Sequence, residues 1–266
     1  MNDDFYIGYN DDAPAPLARH TRKIVAILVV LVAVIAALAA SRQNPVDVGV
    51  FEFGTSRAFE GVLYETPLPM LRVARVSANG HSVTNFILVG FGKHGLPAFA
   101  RGHDGKKIRF HGTLIQRENL AMIELNDAAT FQVVGEPQPW ERRGKTESLG
   151  RVSLTGELVD TKCFLGVMRP ATGKVHRGCA IRCLSGGVPP GLLVRDGAGN
   201  ATVLMLAGPA GEPLLYDVQW AARVVRCEGT LELHDGLPVL RTTALSLGQT
   251  TPPPGNRPAA AEHSEL

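Results

Sequence analysis

The chain has 266 residues, 45% apolar and 20% charged, which is enough to bury a core and too apolar for a disordered polymer. A net charge of +2 makes no basic stripe and 6% aromatic residues offer few stacking surfaces, so composition argues against a nucleic-acid partner. The 29 Gly and 18 Pro, spread along the chain, predict short strands joined by turns.

Residues 1–18 carry Asp, Pro and no apolar period and predict a loose tail, within a cytoplasmic segment over 1–22. Ile24 to Ala40 is an unbroken aliphatic and alanine run, predicting a transmembrane helix over 23–41. The run spans roughly 25 Å, and flanking side chains can snorkel across the rest of the bilayer. Arg19, His20, Arg22 and Lys23 precede it, and only Arg42 stands close behind it. The positive-inside rule then places the N-terminus in the cytoplasm and the bulk of the chain in the periplasm, anchored to the inner membrane. A cleaved signal peptide is the competing reading, because Ala37-Leu38-Ala39 fits a small-x-small site. Both readings export the residues beyond Ser41.

Beyond the apolar run, the chain resembles itself. Phe59 to Leu63 matches Leu154 to Leu158, Phe86 to Gly90 matches Val203 to Gly208, and Ile108 to Leu114 matches Val225 to Leu231. Three matches in the same order predict a duplication. Each unit reads as three strands, a connecting segment and a hairpin, the second hairpin turning at Asp235-Gly236. That order predicts an all-β protein of two tandem OB-like five-stranded barrels, with a β-sandwich as the alternative. The first barrel is expected over 45–134, a Pro- and Gly-rich linker over 135–147, the second barrel over 148–248 and a disordered tail over 249–266. Gly112 and Gly229, inside strand patterns, predict bulges or barrel bends. Tyr216 to Arg223 predicts a helical turn on which Trp220 packs against the barrel, while Trp140 falls in the linker.

All four cysteines lie in the second unit. Cys227 alternates inward with Val225 and matches Phe110, so it reads as a small buried hydrophobe. In an OB topology the first and fourth strands are neighbours, which leaves open a place for Cys227 near Cys163. An insert after the first strand of this unit holds Asp160, Cys163, His176, Cys179 and Cys183. His176, Cys179 and Cys183 fall three and four apart, so a helical turn puts them on one face. With Cys163 they would make a Cys₃His set suited to zinc, or to copper(I), with Asp160 holding His176 from behind. Two bland readings compete: a structural disulfide among Cys163, Cys179 and Cys183, and an Asp160 that only caps a turn. Thioredoxin and c-type haem chemistry lack their Cys-x-x-Cys and Cys-x-x-Cys-His frames. A hydrolase using Asp160, His176 and Ser185 or Cys179 lacks a nucleophile frame. His94 and His111 have no partners at ligand spacing, and Gly186 to Pro190 reads as a turn into a strand.

The second unit resembles a group of exported bacterial domains with the pattern Gly-x-apolar-x-Asp-x-x-Cys, then His, Cys and Cys, then a Gly-x-apolar turn and a strand near Gly-Thr. Here these are Gly156 to Cys163, His176, Cys179, Cys183, Gly187-Val188-Pro189 and Gly229-Thr230. The resemblance covers about residues 150–248 and implies export and an OB-like barrel, without transferring an activity. The interval from Cys163 to His176 is longer here than in that group. The expected function is a membrane-anchored, periplasmic, non-enzymatic module whose insert binds a metal or docks an envelope protein. A disulfide-stapled scaffold is the second reading and a thiol-dependent envelope enzyme the third.

Overall fold

The computed structural model describes residues 13–41, 49–77, 80–142, 144–197 and 200–248. The expected C-terminal tail and most of the expected cytoplasmic tail lie outside them. The chain divides into two compact units, one up to Asp47 and one from Val48.

In the first unit, helix α1 spans Ala15–Ser41 and is long and apolar enough to cross a membrane. Its 27 residues give about 40 Å of length, against about 30 Å of hydrocarbon core. The helix begins eight residues before the expected boundary at 23, so its first turn, Ala15 to Ala18, lies in the stretch expected to be loose. Pro16 sits in the first turn, where a missing N–H costs no intrahelical bond, so the sequence from Ala15 can join the helix.

The second unit holds two barrels. The first contains β1 (Val50–Phe51), β2 (Arg57–Tyr64), β3 (Met70–Ser77), β4 (Gly80–Gly90), β5 (Lys107–Arg117), β6 (Leu120–Leu125) and β7 (Gln132–Gly135). Strands β2, β3 and β4 form a meander; β6 joins β4 in parallel, and β5 pairs with both β6 and β2 to close the ring. Strands β1 and β7 are short additions paired to β5. The second barrel contains β8 (Thr146–Asp160), β9 (Pro190–Arg195), β10 (Ala201–Ala207), β11 (Val224–His234) and β12 (Leu237–Leu247). It closes in the same order, with β10 and β12 parallel and β8 paired to both β9 and β11. First, second, third, fifth, fourth and back to first is the strand order of an OB barrel. Because both sheets close, the sandwich alternative is excluded.

Each pair of matched sequences falls on equivalent strands: β2 and β8, β4 and β10, β5 and β11. Gly61 and Gly156 illustrate why. Each lies where its strand crosses its neighbour so closely that a methyl group would press on the carbonyl of Arg72 or of Leu193. Gly229 sits at a bulge against β12, as expected, whereas β5 pairs through Gly112 without a register shift. Asp235 and Gly236 both take positive φ in the two-residue turn between β11 and β12. The segment before β11 makes one 3₁₀ turn at Val218–Trp220, and Trp220 packs on the barrel interior.

Leu63, Leu71, Leu88, Ile108, Phe110 and Ile123 fill the first barrel, and Leu158, Leu192, Leu206, Val225, Cys227 and Leu240 fill the second. Alternate residues on the same strands point outward, yet many of them are also buried. Val62, Met70, Ile87, Val89, Ile115 and Met122 of the first barrel share one cluster with Met205, Ala207, Leu237 and Val239 of the second. The barrels are therefore fused along an apolar seam.

Polar groups close the edges of that seam. Arg72 reaches Asp235 at 3.0 Å and the Glu141 carbonyl at 2.8 Å, and Asn85 donates to the His234 carbonyl. Glu141, in the expected linker, is buried and paired with Lys107 at 2.6 Å, so this part of the linker is docked. Lys162 is only 1% exposed; its ammonium pairs with buried Glu124 and donates to the Gly90 and Gly92 carbonyls at 2.8 and 2.6 Å. A buried charge needs such a full set of partners.

Candidate metal centre

The chemistry-bearing residues gather where the insert of the second barrel meets the seam. Strand β8 ends at Asp160, which is fully buried. One of its carboxylate oxygens accepts the Cys163 backbone N–H at 2.8 Å and so starts a tight turn over Cys163–Val167. The other lies 2.7 Å from His176 Nε2. Asp160 thus caps a turn and holds the histidine at once. Thr161 ties the same corner to the Pro189 carbonyl at 2.7 Å.

Helix α2 spans Gly173–Ser185. Its Ala180 and Leu184 enter the core of the second barrel, while Cys183 and Cys179 turn toward the seam. The helix ends because Gly187 takes a positive φ of 90° and Val188 donates back to the Cys183 carbonyl at 3.0 Å. Cys163 and Cys183 are buried and Cys179 is half-buried.

The Cys163 sulfur lies 3.7 Å from that of Cys179 and 3.9 Å from that of Cys183. All four cysteines are free thiols, which corrects the disulfide reading: a bridge needs a separation of about 2.05 Å. The three sulfurs cluster with no pair at bonding distance. They form one group with ligand atoms within 4.8 Å of one another; Asp160, Cys163 and His176 form a second, joined to the first through Cys163. The four expected ligands and Asp160 are therefore neighbours, with His176 tied to Asp160. Cys227 lies in the core of the second barrel, not with Cys163.

The first barrel contributes a residue that the sequence did not single out. Lys93, in the loop after β4, places its ammonium 2.7 Å from Cys179 Sγ and 3.9 Å from Cys183 Sγ. Its loop is held by Gly95, whose N–H donates to the Gly186 carbonyl at 2.9 Å. A methyl group on Gly186 would overlap the Lys93 carbonyl, and one on Gly95 would overlap that of Gly187. The glycines on both sides are what let the loop settle over the thiols. His94 and His111 are exposed.

The charges fit a thiolate pocket. A hydrogen bond to Cys183, burial and nearby Asp160 all push the Cys163 thiol up, so it keeps its proton. That proton, shared toward Cys183, holds the Cys183 thiol below its ordinary range against the effect of burial, with help from Lys93. The hydrogen bond to Cys179 raises Lys93, keeping it cationic. Burial pushes Asp160 up, but His176 and the Cys163 N–H outweigh it and hold the carboxyl below the usual range.

No protein-family model matches the chain, and no curated protein matches it. Among solved structures it is similar to a deletion mutant of the single-stranded DNA binding protein from Thermus aquaticus. The identity is 12%, over 79% of this chain and 99% of that one, with a TM-score of 0.20. So distant a likeness carries no argument; the OB assignment rests on strand order and register.

Proposed function

We propose that this protein is a non-enzymatic module of the cell envelope that binds one thiophilic metal ion, zinc or copper(I), through Cys163, Cys179 and Cys183. In this reading α1 anchors the chain in the inner membrane with the N-terminus in the cytoplasm and the fused barrels outside, available to an envelope protein partner. The basic residues before the apolar run and their near absence after it support that orientation.

The observation that carries the metal reading is the spacing of the sulfurs. An ion with metal–sulfur bonds of about 2.3 Å needs sulfurs about 3.8 Å apart in a tetrahedron and about 4.0 Å apart in a trigonal plane. The two separations from Cys163, 3.7 and 3.9 Å, fit, and Cys179 and Cys183 lie within 4.8 Å of each other. Three thiols on a tight turn and one helix face, with an ammonium above them, form a soft, preorganised donor set.

Native mass spectrometry on the full chain in detergent, purified without chelator, tests the reading. The expected mass is that of the reduced chain plus one metal, with the metal absent from a Cys163→Ser/Cys179→Ser/Cys183→Ser variant. A wild-type chain that stays metal-free after reduction and incubation with Zn(II) or Cu(I) would sink it.

A further inference from the structure

The donor set also bears on which ion is taken. We propose, resting on the metal reading above, that the site is a three-coordinate, sulfur-only site selective for copper(I) over zinc, and that Lys93 is a positioning residue supplied to it by the first barrel.

Structural zinc is almost always four-coordinate, so a zinc site here needs a fourth ligand. The group that closes within 4.8 Å contains the three sulfurs and no fourth ligand atom among the described residues. His176, the natural candidate, has Nε2 engaged 2.7 Å from Asp160, whose other oxygen is fixed on the Cys163 N–H. The other ring nitrogen of His176 could ligate while Asp160 keeps its bond, but no ring nitrogen of His176 lies within 4.8 Å of all three sulfurs, so the ring would have to move to complete a tetrahedron.

Beside Cys179 stands the exposed side chain of Lys93, its ammonium 2.7 Å from the sulfur. An ammonium has three donors and no lone pair, so it cannot ligate. It can donate N–H bonds to sulfur and offset the negative charge that three thiolates around a monovalent ion carry. Copper(I) suits thiolates and does not demand a fourth donor. Lys93 comes from the first barrel, while the sulfurs belong to the second, so the complete site exists only in the fused pair.

The test uses the full, reduced chain in detergent under anaerobic conditions. Cu(I) is supplied against the chelator bicinchoninate, Zn(II) is added in competition, and X-ray absorption reads the metal's ligands. The expected result is one Cu(I), retained against excess Zn(II), with sulfur neighbours alone. Lys93→Met should weaken Cu(I) binding about ten- to a hundredfold, as loss of a partner behind a ligand usually does, and Lys93→Arg should restore most of it. His176→Gln should leave the copper's ligands unchanged. Zn(II) bound in preference, with a nitrogen neighbour lost in His176→Gln, would overturn the copper assignment while leaving the metal reading intact. Failure to bind either ion would overturn both. An unchanged affinity in Lys93→Met would remove Lys93 from the site.

Discussion

Four cysteines in one small barrel differ because of what each sulfur faces. Cys227 faces only the barrel interior, where burial alone pushes its thiol up to about 12. Cys179 is half-buried beside the Lys93 ammonium, and Cys163 and Cys183 are buried behind it. A pulse of iodoacetamide on the metal-free, reduced protein should therefore label Cys179 first, and Cys227 only when the chain unfolds. Peptide mass spectrometry reads the order; early labelling of Cys227 would contradict its placement. Asp160 makes a second prediction at this scale. Its carboxyl is held below the ordinary value of about 3.9, so it stabilises the fold above that pH, and the stabilisation is lost as pH falls through the folded value. Glu60, Glu141 and Glu232 are depressed too and share the acid limb. Asp160→Asn isolates one share: chemical unfolding should show a loss of about 1–3 kcal/mol at pH 7 and a shallower loss toward pH 3. Parallel pH profiles for the two proteins would remove Asp160 from that balance.

Between elements, the buried Lys162–Glu124 pair joins the end of β8 to β6 and to the loop after β4. Lys162→Met leaves Glu124 buried and unpaired and should cost about 3–5 kcal/mol in urea unfolding. Adding Glu124→Met should recover part of this and not all, since the Gly90 and Gly92 carbonyls still lack their donor; an additive double mutant would show the pair to be uncoupled. This pair marks where sequence reading stopped. The strands were legible because apolar runs such as Phe86 to Val89 and the ordered matches to the second barrel are local signals. The three cysteines and Asp160 were legible because strand end and helix face bring them together through nearby residues. Lys93 and Glu124 carry no local signal: a lysine in a glycine-rich loop and a glutamate in an apolar strand both read as solvent-facing, and only the docking of one barrel on the other buries or aims them. The start of α1 at Ala15 was missed for another reason, since a proline in the first turn and the basic residues Arg19, Arg22 and Lys23 after it show no apolar period even when the helix runs through them.

At the scale of the fused barrels, the seam decides how the molecule unfolds. Its buried side chains come from both barrels, so neither can separate without exposing Ile87, Met122, Met205 and Val239 together. The sequence suggested two units joined by a linker, because a strand buried on both faces and one buried on one face differ only in a few outward positions. Fusion predicts one cooperative transition. The two tryptophans allow a direct test: Trp220 packs on the second barrel, and Trp140 lies in the connecting segment. In a Trp140→Phe background, fluorescence reports the second barrel alone. Ile87→Ala, a cavity in the first barrel at the seam, should cost about 2–5 kcal/mol. If the barrels are one cooperative body, the Trp220 urea midpoint falls with that substitution and coincides with the far-ultraviolet transition. A Trp220 midpoint that stays in place while the first barrel melts early would mean that the barrels unfold separately. A site that borrows Lys93 from one barrel and three sulfurs from the other would then open each time the first barrel does.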